Sequence, residues 1–237
     1  MSDFIHPFDR LVQPGATGLR VAEAALHFAR DHTPDLAVRP WLEKLDDLAQ
    51  RVDRTGSRGV EDRVAALRAV LVDQERLIGN RQDYFDPRNS FLHEVLTRRT
   101  GMPICLSTIW LDVCEQLGWP FAGVGLPGHY IIRCDAPAGE ILIDPFHGGR
   151  VVERIDCNRI VSEAIGRPIE LTNDDFEGIS KRLTLSRMLN NLRWIYTKRR
   201  DWHHAALVIA RLLALQPDSE GLRHELRTVR EKIAGLN

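Results

Sequence analysis

Apolar residues recur at three- and four-residue spacing through the first third of the chain, the period of helices that bury one face. The pattern predicts helices over residues 19–32, 41–52 and 60–78, with Val64, Leu67 and Leu71 sharing a face in the last. Pro40 stands where a helix starts, and Gly56, Gly59 and Gly79 mark ends or loops. The segment Asn80-Arg-Gln-Asp-Tyr-Phe-Asp-Pro-Arg-Asn-Ser then mixes turn formers with aromatics. Asn89 or Ser90 is placed to cap a short helix over 91–99 that stops at Gly101. From Pro103 a further helix carries Cys105, Leu106, Ile109, Val113 and Leu117, ending at Gly118 with Pro120 beyond it.

Past that point the period shortens. Residues 121–126, 129–134 and 140–144 are short, apolar-rich runs separated by Pro-Gly and Ala-Pro-Ala-Gly turns, the signature of an antiparallel meander. Gly148-Gly149 breaks the chain, 150–155 adds another strand, and a helix follows around 158–165. Helices, then strands, then a helix predict an α+β core. Two amphipathic helices over 183–198 and 202–215, joined by a short Arg-Arg-Asp turn, and a third over 221–233 close the chain.

Composition narrows the class. The 237 residues are 43% hydrophobic and 27% charged, the mix of a folded globular protein, which excludes global disorder. That length supports one substantial core plus a smaller appendage. No run approaches the roughly 20 apolar residues that cross a bilayer, and the N-terminal stretch lacks a basic region followed by an apolar one, so a cytoplasmic protein with no membrane partner is expected. Cys105, Cys114, Cys134 and Cys157 form no Cys-x-x-Cys pair and read as reduced thiols.

The net charge of −1 hides two opposed segments. Residues 1–180 hold 20 Lys and Arg against 28 Asp and Glu, while 181–237 hold 12 against 5. This shift falls where the motif pattern divides the chain into a core, 1–180, and a helical tail, 181–237. A basic helical tail reads as docked on the acidic core; with no stacking aromatics or groove-reading motif beside it, nucleic acid is disfavoured as a partner.

Three residues carry candidate chemistry. Cys105 lies in the first turn of its predicted helix, where free N–H groups and the positive dipole end favour a thiolate. His129 starts a strand after Pro127-Gly128, and Asp144 ends the next one before Pro145. With a turn centred on Pro137 and Ala138, Asp144 faces Ile131, one diagonal step from His129 on the same sheet face. A thiol, an imidazole and an orienting carboxylate are the parts of covalent acyl transfer. His147 lies near the same edge, as a cleft residue or an exposed loop histidine. A metal centre of Cys105, His129, Asp144 and His147 lacks the paired spacing of common zinc sites, so neither a metal nor a cofactor is expected. Gly123-x-Gly125-x-x-Gly128 opens no helix of a βαβ unit and is not a dinucleotide fingerprint.

The order Cys105, His129, Asp144, with the first on a helix and the others on adjacent strands, resembles the transglutaminase-like superfamily, whose fold is related to papain. Within it, the Asn80 to Ser90 segment, Arg99-Thr-Gly-Met-Pro-Ile-Cys-Leu-Ser, Gly123-Val-Gly-Leu-Pro-Gly-His and Ile143-Asp-Pro-Phe-His-Gly-Gly resemble the signatures of bacterial SirB-type proteins, which join such a core to a tetratricopeptide-like tail. A eukaryotic F-box protein carries a similar core. In the tail, Leu192, Tyr196, Ala205, Ile209 and Pro217 have the spacing of one tetratricopeptide repeat, though Arg193 and Leu212 stand where small residues are usual.

The resemblance implies Cys105 as nucleophile, His129 as general base and acid, and Asp144 as the group that fixes the imidazole. It also implies an alternative, because in that branch the position of Cys105 is often Thr or Ser. Two functions therefore stand open: a cysteine acyl-transfer enzyme (protease, amidase or transglutaminase-like hydrolase), and a catalytically idle module whose cleft or tail holds a protein or peptide.

Overall fold

The computed structural model describes residues 5–13, 15–137 and 139–235. The helical period of the first third is realised as α1 (Pro7–Leu11), α2 (Val21–Phe28), α3 (Arg39–Asp53) and α4 (Val60–Leu67). The short α1 is opened by Pro7 in its first turn and by the His6 ring, which accepts from the Phe8 N–H at 3.2 Å. The predicted 60–78 helix does not run through: α4 passes into a π-helical stretch, Arg68–Gln74, and the chain then enters the two-residue strand β1 (Ile78–Gly79). β1 pairs in parallel with β2 (Thr100–Gly101). Gly79 is required there, since a Cβ would stand 2.5 Å from the Phe146 ring.

Between these strands lie the 3₁₀ turn Pro87–Ser90 and α5 (Leu92–Arg98). The predicted caps are corrected here: Phe91 is the N-cap residue and its side chain makes no cap bond. Asn89 instead lies buried and donates through Nδ2 to the carbonyls of Asp83 and Tyr84, closing the aromatic loop on itself. Arg99, at φ 60°, ends α5 two residues before the expected Gly101.

α6 (Pro103–Gln116) is the axis of the molecule. Ile104, Leu106, Ile109, Trp110 and Val113 are all buried on it, and α2, α3, α5 and the sheet pack around it. Apolar positions on every side fit a helix with no solvent face over most of its length. The sheet is an antiparallel meander in the order β3 (Phe121–Val124), β4 (Ile131–Ala136), β5 (Gly139–Asp144), β6 (Arg150–Val152). Ile132 pairs with Ile143 and Ala136 with Gly139, the register expected from the sequence; Ala138 of the connecting turn lies outside the described residues. One face of the sheet meets α6. The other, through Val124, Ile131 and Leu142, covers Cys157 and Val161 of α7 (Arg154–Ile165).

α8 (Lys181–Arg199), α9 (Trp202–Leu215) and α10 (Glu220–Ala234) form the tail. Ser180 caps α8 by accepting from the Leu183 N–H at 3.2 Å. Leu185, Met188, Leu189 and Leu192 of α8 join the same apolar core as α6. The opposed charges meet at this seam: Arg211 bridges Asp9 at 2.6 Å and Asp31 at 2.8 Å, and Lys181 pairs with Glu115. Among the described residues no helix is long and apolar enough to cross a membrane.

Candidate active site

Asp144 is the anchor. It ends β5 with its side chain fully buried, and its Oδ1 accepts from the His147 N–H at 3.2 Å, which caps the 3₁₀ turn Pro145–His147. The turn swings the His147 ring back so that Nδ1 lies 2.6 Å from Asp144 Oδ2. His129 Nε2 reaches the same oxygen at 3.0 Å. Burial alone would push the Asp144 carboxyl up, but hydrogen bonds and charge from the two imidazoles outweigh it and hold the group well below the usual carboxylate range.

His129 is 6% exposed and precedes β4 instead of starting it, with its N–H bonded to the Leu126 carbonyl at 3.2 Å. Gly128, at φ 68°, makes the turn that aims it. Its carbonyl accepts from Arg187 Nη2 of α8 at 3.1 Å, so the tail helps fix the residue. With Asp144 on Nε2, the neutral ring carries its proton there and leaves Nδ1 as the basic nitrogen.

Cys105 occupies the first turn of α6, as the sequence indicates, but its surroundings are dry. Its side chain is 0% exposed, its own N–H is already bonded to the Met102 carbonyl at 3.1 Å, and burial pushes the thiol far above its ordinary value. The expectation that the helix start favours a thiolate is thereby corrected, because desolvation of the anion outweighs a dipole contribution of about 1 kcal/mol. No hydrogen bond among the described residues joins the thiol to His129.

A cleft of about 960 Å³ opens beside these groups. His129 and His147 line it, as do Met102, Pro103 and Ile104, whereas Cys105 does not. Its aromatic wall holds Tyr84, Phe85, Phe146 and Trp194, and α8 contributes Arg187, Asn190 and Asn191. The structure thus brings His129 and Asp144 together and leaves Cys105 beneath the surface. His147 is the residue that sequence reasoning left between two readings; its spacing of three from Asp144 across a Pro was the available signal, since that is the span of a capped 3₁₀ turn.

Comparison with known proteins agrees with this architecture. The sequence profile described as Transglutaminase-like superfamily matches residues 39–190, from α3 into α8. A UPF0162 protein of Xylella fastidiosa is 33% identical over 218 residues, covering 86% of this chain and 75% of that protein. A UPF0162 protein of Pseudomonas aeruginosa is 27% identical over 180 residues, covering 74% and 64%. F-box only protein 21 of Mus musculus is 33% identical over 135 residues, which are 54% of this chain and 21% of the mouse protein. No solved structure matches the chain. With a core profile spanning most of the fold and a UPF0162 relative aligned over three quarters of its length, the chain belongs to the Transglutaminase-like superfamily.

Proposed function

We propose that this protein is a binding module on a transglutaminase-like fold, holding a peptide or protein segment in the cleft between the core and α8. The observation that carries the reading is the sealed Cys105 thiol, 0% exposed and absent from the cleft wall. A nucleophile must reach the carbonyl it attacks, and a buried, protonated thiol does neither job of approach nor of activation. The cleft itself has the makings of a recognition site: aromatic side chains for apolar contact and a few polar groups for orientation. Asn190 Oδ1 is buried without a hydrogen-bond partner among the described residues and is matched to an amide N–H of a bound chain. Within the superfamily we read the protein as SirB-type, on the segments around Tyr84, Cys105, His129 and Asp144, with the α8–α9 hairpin as a single tetratricopeptide-like unit.

A second reading rests on a different observation. The His129–Asp144 bond of 3.0 Å presents an oriented imidazole at the cleft, with Cys105 in the first turn of the helix whose N-terminal residues line that cleft. A movement that uncovers the thiol would complete a Cys-His-Asp triad for acyl transfer. Iodoacetamide labelling of the folded chain between pH 6 and 9 separates the two. The binding reading expects Cys105 to stay unmodified until denaturant is added; rapid modification near pH 7 overturns it in favour of the enzyme.

A further inference from the structure

We propose that His129, Asp144 and His147 form a binding site for a divalent transition metal of the zinc class, with an open coordination position facing the cleft. This goes beyond the binding reading and does not depend on it.

The donor atoms of the three side chains converge. His129 Nε2, Asp144 Oδ2 and His147 Nδ1 all lie within 4.8 Å of one another. Two imidazole nitrogens from different parts of the chain address one carboxylate oxygen, at 3.0 and 2.6 Å. In a tetrahedral zinc site, with metal–ligand distances near 2.0–2.2 Å, neighbouring donors stand about 3.3 Å apart. Reaching that spacing takes about 0.3 Å at His129 Nε2 and about 0.7 Å at His147 Nδ1, each measured from the carboxylate oxygen. His147 supplies that freedom, because its side chain is the most exposed of the three at 18%.

The donor chemistry also fits. Two neutral imidazoles and one carboxylate suit zinc and its first-row neighbours and do not suit magnesium or calcium, which take all-oxygen shells. Three protein ligands with a free fourth position make the open type of site, and here both histidines line the cleft, so water or a ligand group reaches that position. The arrangement is braced from behind. Asp144 Oδ1 is occupied by the His147 backbone N–H, which orients Oδ2, and the His129 carbonyl is held by Arg187. On binding, each neutral ring gives up the N–H that it directs at Asp144 and takes a proton from solvent on its other nitrogen, His129 on Nδ1 and His147 on Nε2, so that both offer a lone pair to the metal with no net change in bound protons. Cys105, the fourth donor that the sequence offered, is not part of the convergence.

The test is titration of chelator-stripped full chain with Zn²⁺ by calorimetry, with Co²⁺ as a spectroscopic probe. The expected result is one saturable equivalent, with visible cobalt bands of the intensity of a four-coordinate nitrogen and oxygen site. His147→Ala and His129→Ala are expected to abolish that equivalent, while Cys105→Ala and a His203→Ala, His204→Ala double variant keep it. His147→Ala guards against misfolding, since it removes only a partly exposed ring, and its helical circular dichroism is checked alongside. No saturable binding by the unmutated chain, or binding that survives both His147→Ala and His129→Ala, overturns the proposal.

Discussion

Cys105 and His129 lie one helix and one strand apart in the chain, yet they belong to different kinds of environment. Around Cys105 the neighbours are apolar side chains of the central core, and the sulfur meets no water. Around His129 there are Asp144, His147 and the guanidinium of Arg187, with a wide cleft beyond. One site is held by packing and the other by hydrogen bonds. A residue order that matches a catalytic triad thus establishes the fold and the carboxylate–imidazole pair, but exposure of the nucleophile depends on the side chains that cover it.

The contrast is sharpest at Asp144. Replacing it with Ala strands two ring N–H groups and one backbone N–H in a nearly buried setting, and we expect a loss of about 3 kcal/mol in urea unfolding. The pH dependence carries a matching sign. Because the folded carboxyl lies below its unfolded value, Asp144 contributes stability above about pH 4 and loses it as the pH falls towards the folded value. Asp144→Asn should flatten that acid limb.

Cys105→Ser tests the dry side. A hydroxyl placed in apolar surroundings is expected to cost about 2 kcal/mol, whereas the same change at a solvated nucleophile would cost little. Cys105→Ala leaves a small void and should cost about 1 kcal/mol with the cleft unchanged. The buried thiol's raised pKa means its stabilisation is present below about pH 8.5 and declines as the pH rises beyond that, so Cys105→Ala should also reduce the alkaline slope of stability. The smallest effect belongs to His147→Ala, about 0.5–1 kcal/mol by thermal unfolding, since the ring is partly solvated and only one side-chain hydrogen bond is lost.

Much of this was legible in the chain, for reasons that differ by element. The meander and its register followed from the two-residue period and the turn formers, and a period of two leaves little choice once one face is buried. α8, α9 and α10 were readable from apolar residues at helical spacing, whereas the caps Ser180 and Ser219 set two of their starts at Lys181 and Glu220, ahead of the 183 and 221 that the spacing gave. The π-helical turn after Leu67 was not, because an extra residue per turn leaves no mark on a pattern read at 3.6. Nor was the two-residue β1–β2 pair, whose parallel contact depends on Gly79 meeting Phe146 from a distant turn. At the site, the His129–Asp144 pairing came from register. The burial of Cys105 did not, because it is set by the packing of the central core around α6, to which separate segments of the chain contribute.

Cys105 is sealed in the core, while His129 and His147, joined through the buried Asp144, line the cleft. The most direct measurement is the alkylation rate of Cys105, read by peptide mass spectrometry across urea concentrations below the unfolding transition. For a sealed thiol the rate tracks the fraction of globally unfolded chain and vanishes towards zero urea. A fast rate at zero urea, independent of unfolding, would contradict it.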